Sequence, residues 1–92
     1  IHAGLEHFSE SRRLEEYSVE ELVWKRTDFD IAYFKNITVV SGHTPTQNIL
    51  GNSRPGYIFK KNNLIAIDCG AGENNGRLAA ICLDTGEEYY AE

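Results

Sequence analysis

The apolar positions along this chain favour short strands over long helices. Residues 37–41, Ile37-Thr38-Val39-Val40-Ser41, are rich in β-branched side chains and bounded by Asn36 and Gly42, which predicts a strand. Residues 57–60 and 64–69 read as two more, joined by Lys61-Asn62-Asn63. Asparagine tolerates positive φ, so that junction predicts a tight hairpin. Residues 77–83 and 87–91 form a second pair around Asp84-Thr85-Gly86. Residues 44–56 hold both prolines and little periodicity, which reads as a surface loop, and 70–76 is a turn rich in glycine and asparagine.

One helix start is explicit. Ser18-Val19-Glu20-Glu21 is a capping box, in which the Ser18 hydroxyl takes the Glu21 N–H and the Glu21 carboxylate takes the Ser18 N–H. Tyr17 and Leu22 occupy the staple positions around it, so a helix is expected over 19–26, ending near Thr27-Asp28. Residues 10–16 suit a short helix or a loop. The order of elements gives an α/β (α+β) class with a largely antiparallel end, and no internal repeat or low-complexity segment interrupts it.

Length and charge narrow the function. Ninety-two residues make a single domain at most, one able to bury only about 60–65% of its unfolded surface. The 41% hydrophobic and 25% charged fractions are those of an ordinary globular protein. A net charge of −5 disfavours nucleic acid and anionic membranes as partners. It still allows phosphorylated ligands if a metal supplies local positive charge. The longest apolar run, Leu78-Ala79-Ala80-Ile81-Cys82-Leu83, is too short to span a bilayer, and no signal-peptide pattern opens the chain. Cys69 and Cys82 lie on neighbouring strand-like segments where a bridge is geometrically possible. Without a Cys-x-x-Cys spacing, the reduced state of a cytoplasmic protein is the expectation. The chain opens inside a motif and without methionine, so it reads as a piece of something longer.

Candidate chemistry centres on two histidines in glycine-containing motifs. His2 sits in Ile1-His2-Ala3-Gly4, and His43 follows the 37–41 strand in Ser41-Gly42-His43-Thr44-Pro45. An imidazole delivered at the carboxyl end of a strand, on a turn loosened by glycine, has room to reach a metal or a phosphate. Either histidine alone is as well explained as a hydrogen-bonded turn residue; the shared context is what raises them to metal candidates. Two ligands are not a site, since a catalytic metal needs at least three. His7 lacks a flanking glycine and is expected at the surface. Arg26, at the end of the expected helix, suits either the helix dipole or a bidentate grip on phosphate. Trp24 is most simply a core residue. The Asp68 carboxylate is expected to accept backbone N–H groups in the following turn rather than to act in catalysis. The glycines match neither common phosphate-loop spacing.

Four segments carry a resemblance: Ile1-His2-Ala3-Gly4-Leu5, Leu22-Val23-Trp24-Lys25-Arg26, Gly42-His43-Thr44-Pro45 and Ile67-Asp68-Cys69-Gly70-Ala71. In this order they resemble the C-terminal part of a bacterial PPP-type serine/threonine protein phosphatase, one of the calcineurin-like metallophosphoesterases. The likeness runs over nearly all of residues 1–92, through Gly76-Arg77-Leu78 and Leu83-Asp84-Thr85-Gly86-Glu87. It implies part of a two-sheet sandwich, with two divalent ions (Mn²⁺, or Fe/Zn) that activate a bridging water against a phosphomonoester. It also implies metal ligation by His2 and His43, contact of Arg26 with substrate phosphate, and a phosphorylated protein or small phosphomonoester as substrate. Cys69 departs from the threonine or serine usual at that position.

The larger departure is that the family's Gly-Asp-x-His-Gly, Gly-Asp-x-Val-Asp-Arg-Gly and Gly-Asn-His-Glu motifs are not in this chain. They carry the first metal's ligands and the proton donor, so these 92 residues on their own are expected to be inactive. Self-association through exposed edges or an orphaned sheet face is expected as well. A dinucleoside tetraphosphatase shares the scaffold but tends to have an aromatic residue after Gly-His, where Thr44 stands here. A noncatalytic interaction module is the alternative from another class.

Overall fold

Two adjacent asparagines set the geometry of the first sheet. Asn62 and Asn63 both lie in the left-handed region, at φ 53° and 60°. Two such residues in succession give the backbone twist that lets a two-residue loop join antiparallel strands. The hairpin they close is β2 (Phe59–Lys61) and β3 (Leu64–Ala66), with Phe59 opposite Ala66 and Lys61 opposite Leu64. The other edge of β3 receives β1 (Val39–Ser41) in parallel, Val39 opposite Leu64 and Ser41 opposite Ala66. The sheet order is therefore β1-β3-β2. A second, two-stranded sheet is the hairpin of β4 (Leu78–Ile81) and β5 (Glu88–Ala91).

These elements come from a computed structural model in which residues 1–9 and 11–91 are described. The architecture is α+β, two mostly antiparallel sheets with little helix. The strands are shorter than the sequence pattern suggests: Ile37 and Thr38 precede β1 without pairing, and β3 ends at Ala66, with Ile67 N–H still donating to Ser41 O at 3.0 Å. Within 10–16, Leu14–Glu16 form a 3-10 turn, and Glu10 lies outside the described residues. The 44–56 loop contains one further 3-10 turn, Thr46–Asn48, whose Thr46 is fully buried.

The core lies on one face of the first sheet. Val39 and Leu64, paired across β1 and β3, project to the same side and pack with Leu5, Tyr17 and Tyr33. Phe8, Leu22, Phe29 and Phe34 close around them, and Phe8 meets Tyr33 edge-on at 4.9 Å. Aromatic pairs of that geometry add to burial about 0.5–1.5 kcal/mol each.

The helix α1 (Val19–Val23) forms as its cap predicts, but stops three residues early. Glu21 N–H donates to Ser18 Oγ at 3.3 Å and Ser18 N–H donates to Glu21 Oε1 at 3.0 Å. The Trp24 N–H closes the last turn on Glu20 O, after which the chain is committed to a close contact with Gly4. Five residues make little more than one turn, and that turn turns Leu22 toward the core. Trp24 is therefore not a core residue; it is 71% exposed.

Glu21 also fastens the preceding segment. Arg12 grips both its oxygens, at 2.6 and 2.7 Å, and His7 Nδ1 lies 3.0 Å from Oε2. The Arg12 guanidinium first, and the Ser18 N–H second, hold this carboxyl well below the usual carboxylate range. A carboxyl depressed on folding stabilises the native state above its unfolded value, and that contribution fades as acid reaches the folded one. The thermal midpoint should thus decline below about pH 5. Glu21→Gln should have a lower midpoint at pH 7 and a flatter acid profile. Parallel profiles for the two proteins would show that this cluster does not contribute.

Candidate functional site

The N-terminal segment lies along the outer edge of β1. The Ile1 backbone nitrogen donates to Val40 O at 2.9 Å, and Gly42 N–H donates to His2 O at 2.7 Å. These bonds bring His2 against the residue that follows Gly42. The His2 and His43 rings stand 4.8 Å apart, centroid to centroid, tilted by 48°. Both side chains are exposed, and among the described residues neither imidazole has a hydrogen bond or ion pair. The two sequence candidates for metal ligation are thus neighbours with open ring nitrogens.

His43 holds a backbone conformation that side chains seldom adopt, φ 66°. A non-glycine residue there costs about 1–2 kcal/mol. His7 has a similar φ of 56°, but its ring is occupied by Glu21 and it sits at the surface, as its sequence context suggests. The strain at His43 has no such local bond to offset it. Its effect is to turn the imidazole back toward His2.

Arg26 reaches the same region through Gly4. A side chain at Gly4 would overlap Lys25 O and come within 2.7 Å of Thr27 N and 2.8 Å of Arg26 C, so the two motifs touch backbone to backbone. Thr27 Oγ1 donates to Ala3 O at 2.5 Å and is in hydrogen-bond contact with buried Ser41 Oγ at 3.0 Å. One hydroxyl therefore ties the His2 segment, the Arg26 segment and the end of β1 together. Arg26 is exposed, without a side-chain hydrogen bond or ion pair among the described residues. It borders an open cleft of about 230 Å³ whose walls include Asp28, Phe29, Thr44, Ile49 and Leu50. Thr44 follows His43 directly in the chain, although neither imidazole lines this cleft. Its Oγ1 is buried without a hydrogen-bond partner.

Asp68 takes the structural role expected of it. Its Oδ1 accepts the Gly70 N–H at 3.0 Å, and its carbonyl accepts the Thr46 N–H at 2.7 Å. Cys69 and Cys82 are both free, and burial pushes the Cys69 thiol up. Two imidazoles suit a first-row divalent ion chemically. They fill only half of a tetrahedral sphere. Among the described residues no group of three His, Cys, Asp or Glu side chains converges to hold one. The residues present fit as a pair of ligands, and further donors must come from elsewhere.

The sequence candidates His2 and His43 lie side by side, but the left-handed backbone at His43 and the buried hydroxyl of Thr44 were not anticipated. A histidine directly after a strand-ending glycine was a usable signal for the first, since histidine is enriched at positive φ. Nothing in the sequence marks the second. Compared with known proteins, the chain matches no family model, no curated protein and no solved structure. Any family reading rests on the motifs and this geometry. Among the described residues no helix is long and apolar enough to cross a membrane.

Proposed function

We propose that this chain is the C-terminal part of a cytoplasmic, calcineurin-like metallophosphoesterase of the bacterial serine/threonine protein phosphatase type. In this reading His2 and His43 bind one of two divalent ions, Mn²⁺ or Fe/Zn. Arg26 grips the phosphoryl group of a phosphorylated protein or small phosphomonoester. The observation that carries the reading is the 4.8 Å approach of two unpartnered imidazoles from distant motifs, one of them on a strained backbone.

Each residue has a separable task. His2 and His43 present ring nitrogens, and the backbone bonds of Gly42 and Ile1 set their spacing. Arg26, held by the Gly4 and Thr27 contacts, supplies a planar fork suited to two phosphate oxygens. When bound, a divalent ion supplies Lewis-acid activation of water for attack on phosphorus. A second reading, a noncatalytic interaction module, draws on the lack of a third ligand among the described residues.

Titration with Zn²⁺ or Mn²⁺ followed by NMR separates the two. The expected result is saturable perturbation of the His2 and His43 rings, with His7 unaffected. Binding should weaken about tenfold or more in His43→Ala, which removes one of two donors. With inorganic phosphate added, Arg26→Lys should weaken phosphate binding but leave the metal response intact. Unsaturable shifts, or shifts shared equally by His7, would favour the noncatalytic module.

A further inference from the structure

The surface of this chain is larger than its mass requires. It measures 6141 Å². A compact monomer of 10.4 kDa is expected to expose about 5,400 Å². Part of the excess is one face of the β4–β5 hairpin. The inner face, with Ala79, Ile81, Glu88 and Tyr90, is half-buried against the rest of the fold, where Tyr90 stacks edge-on with Tyr57 at 5.1 Å. The outer face carries Leu78, Ala80, Tyr89 and Ala91, all exposed and none charged; Leu78 is 64% and Tyr89 54% accessible. An antiparallel hairpin open to water normally alternates apolar-in with polar-out. Here the exposed face carries no charged residue, whereas the charged Glu88, paired with Lys60 at 3.0 Å, lies on the half-buried face.

Register gives that face a specific shape. Leu78 stands opposite Ala91, and Ala80 stands opposite Tyr89. The four side chains therefore form a two-by-two array with large residues on one diagonal and small ones on the other. Place a second copy face to face across a two-fold axis parallel to the strands. Leu78 then falls on the partner's Ala91, and Tyr89 falls on the partner's Ala80. Every protrusion meets a hollow, in both directions at once, which is the requirement of a self-complementary two-fold contact. The Tyr89 hydroxyl, already donating to Glu87 Oε2 at 2.7 Å, stays at the rim with its hydrogen bond made.

We propose that the outer face of the β4–β5 hairpin is a self-association surface, on which two copies of this chain pack Tyr89 and Leu78 into the hollows at Ala80 and Ala91. The area sets the strength. Two large and two small side chains make a small patch, well under the about 800 Å² that each side of a standard stable interface buries. The dimer is therefore weak, and the net charge of −5 on each copy opposes it. This inference does not depend on the phosphatase reading.

Sedimentation equilibrium and NMR dilution of the 92-residue chain, from about 1 mM to 20 µM, test it. The expected result is a monomer–dimer equilibrium with dilution shifts confined to β4 and β5, shifted at least about tenfold toward monomer in Tyr89→Ala. Ala80→Leu is the sharper variant. It enlarges the apolar surface at an exposed strand position that tolerates leucine, yet fills the hollow that receives Tyr89. It should weaken association, and stronger association would overturn the interlocking packing. A monomer throughout the range would overturn the proposal and leave the face for a different polypeptide. A dimer unaffected by Tyr89→Ala would place the contact elsewhere, such as the exposed edge near Thr38, and would equally overturn it.

Discussion

Replacing Gly76 with alanine is expected to destabilise the protein by on the order of 3 kcal/mol or more, enough to unfold much of a small domain. A methyl group at Gly76 would overlap the carbonyl oxygen of Gly70, and the neighbouring Gly70 backbone leaves no flexible side chain to move aside. That close approach is built by the turn itself. Glu73 N–H donates to Gly70 O at 2.9 Å, Gly76 N–H to Glu73 O, and Arg77 N–H to Cys69 O, both at 3.0 Å. Relief of the clash would open these bonds and detach the β4–β5 hairpin from the first sheet. Gly72→Ala is the control. It shares the turn and has a φ of 87°, but nothing lies within 4 Å, so only backbone strain of about 1–2 kcal/mol is expected. Denaturant unfolding of both variants checks this, and equal losses would mean that the close approach is not what matters.

Gly4→Ala is expected to be next in severity, at about 2–3 kcal/mol, and to have a second consequence. The added carbon would sit within 2.8 Å of Arg26 C and 2.7 Å of Thr27 N, so the His2 segment must lift from the Arg26 segment. The Thr27–Ala3 hydrogen bond would lengthen, and the cross-ring contact between His2 and His43 would weaken in NMR. Gly42→Ala, although inside the other histidine motif, would meet only His2 O at 3.7 Å and Asp68 Cβ at 3.9 Å. Those are ordinary contact distances, and the variant should keep both its stability and the ring contact. A Gly4→Ala protein with an undisturbed histidine pair would show that Arg26 and His2 are positioned independently.

The features that could be read from the sequence are those decided within a few residues. The Ser18–Glu21 capping box and the Asn62–Asn63 and Asp84–Gly86 turns all formed where their residue types require them. Asp68 closes its turn for the same local reason. What could not be read depends on partners distant in the chain. Trp24 has an apolar side chain on a helical pattern, but the Gly4 contact ends that helix before Trp24 can turn inward. Strand β1 is only three residues long because Ile37 and Thr38 find no partner on β3. The site divides in the same way. Its candidate residues were legible as motifs, and the Gly42-His43 step signalled the positive φ of His43, while the approach of the two rings comes from pairings that no local pattern encodes.

The parallel pairing of β1 with β3 has a further consequence, in time rather than in space. The β2–β3 hairpin needs only a two-residue loop, and hairpins of that kind close in about 1–10 μs. Strand β1 must then dock across the whole 44–56 loop, and Ile1 must find Val40 across a separation of 39 residues. Contacts of such long range close late because their loop entropy is lost before any bond rewards it. The order of assembly expected on these grounds is hairpin, then β1, then the N-terminal strip. In that order the two imidazoles would meet in the last step and be the first to part when the protein begins to open.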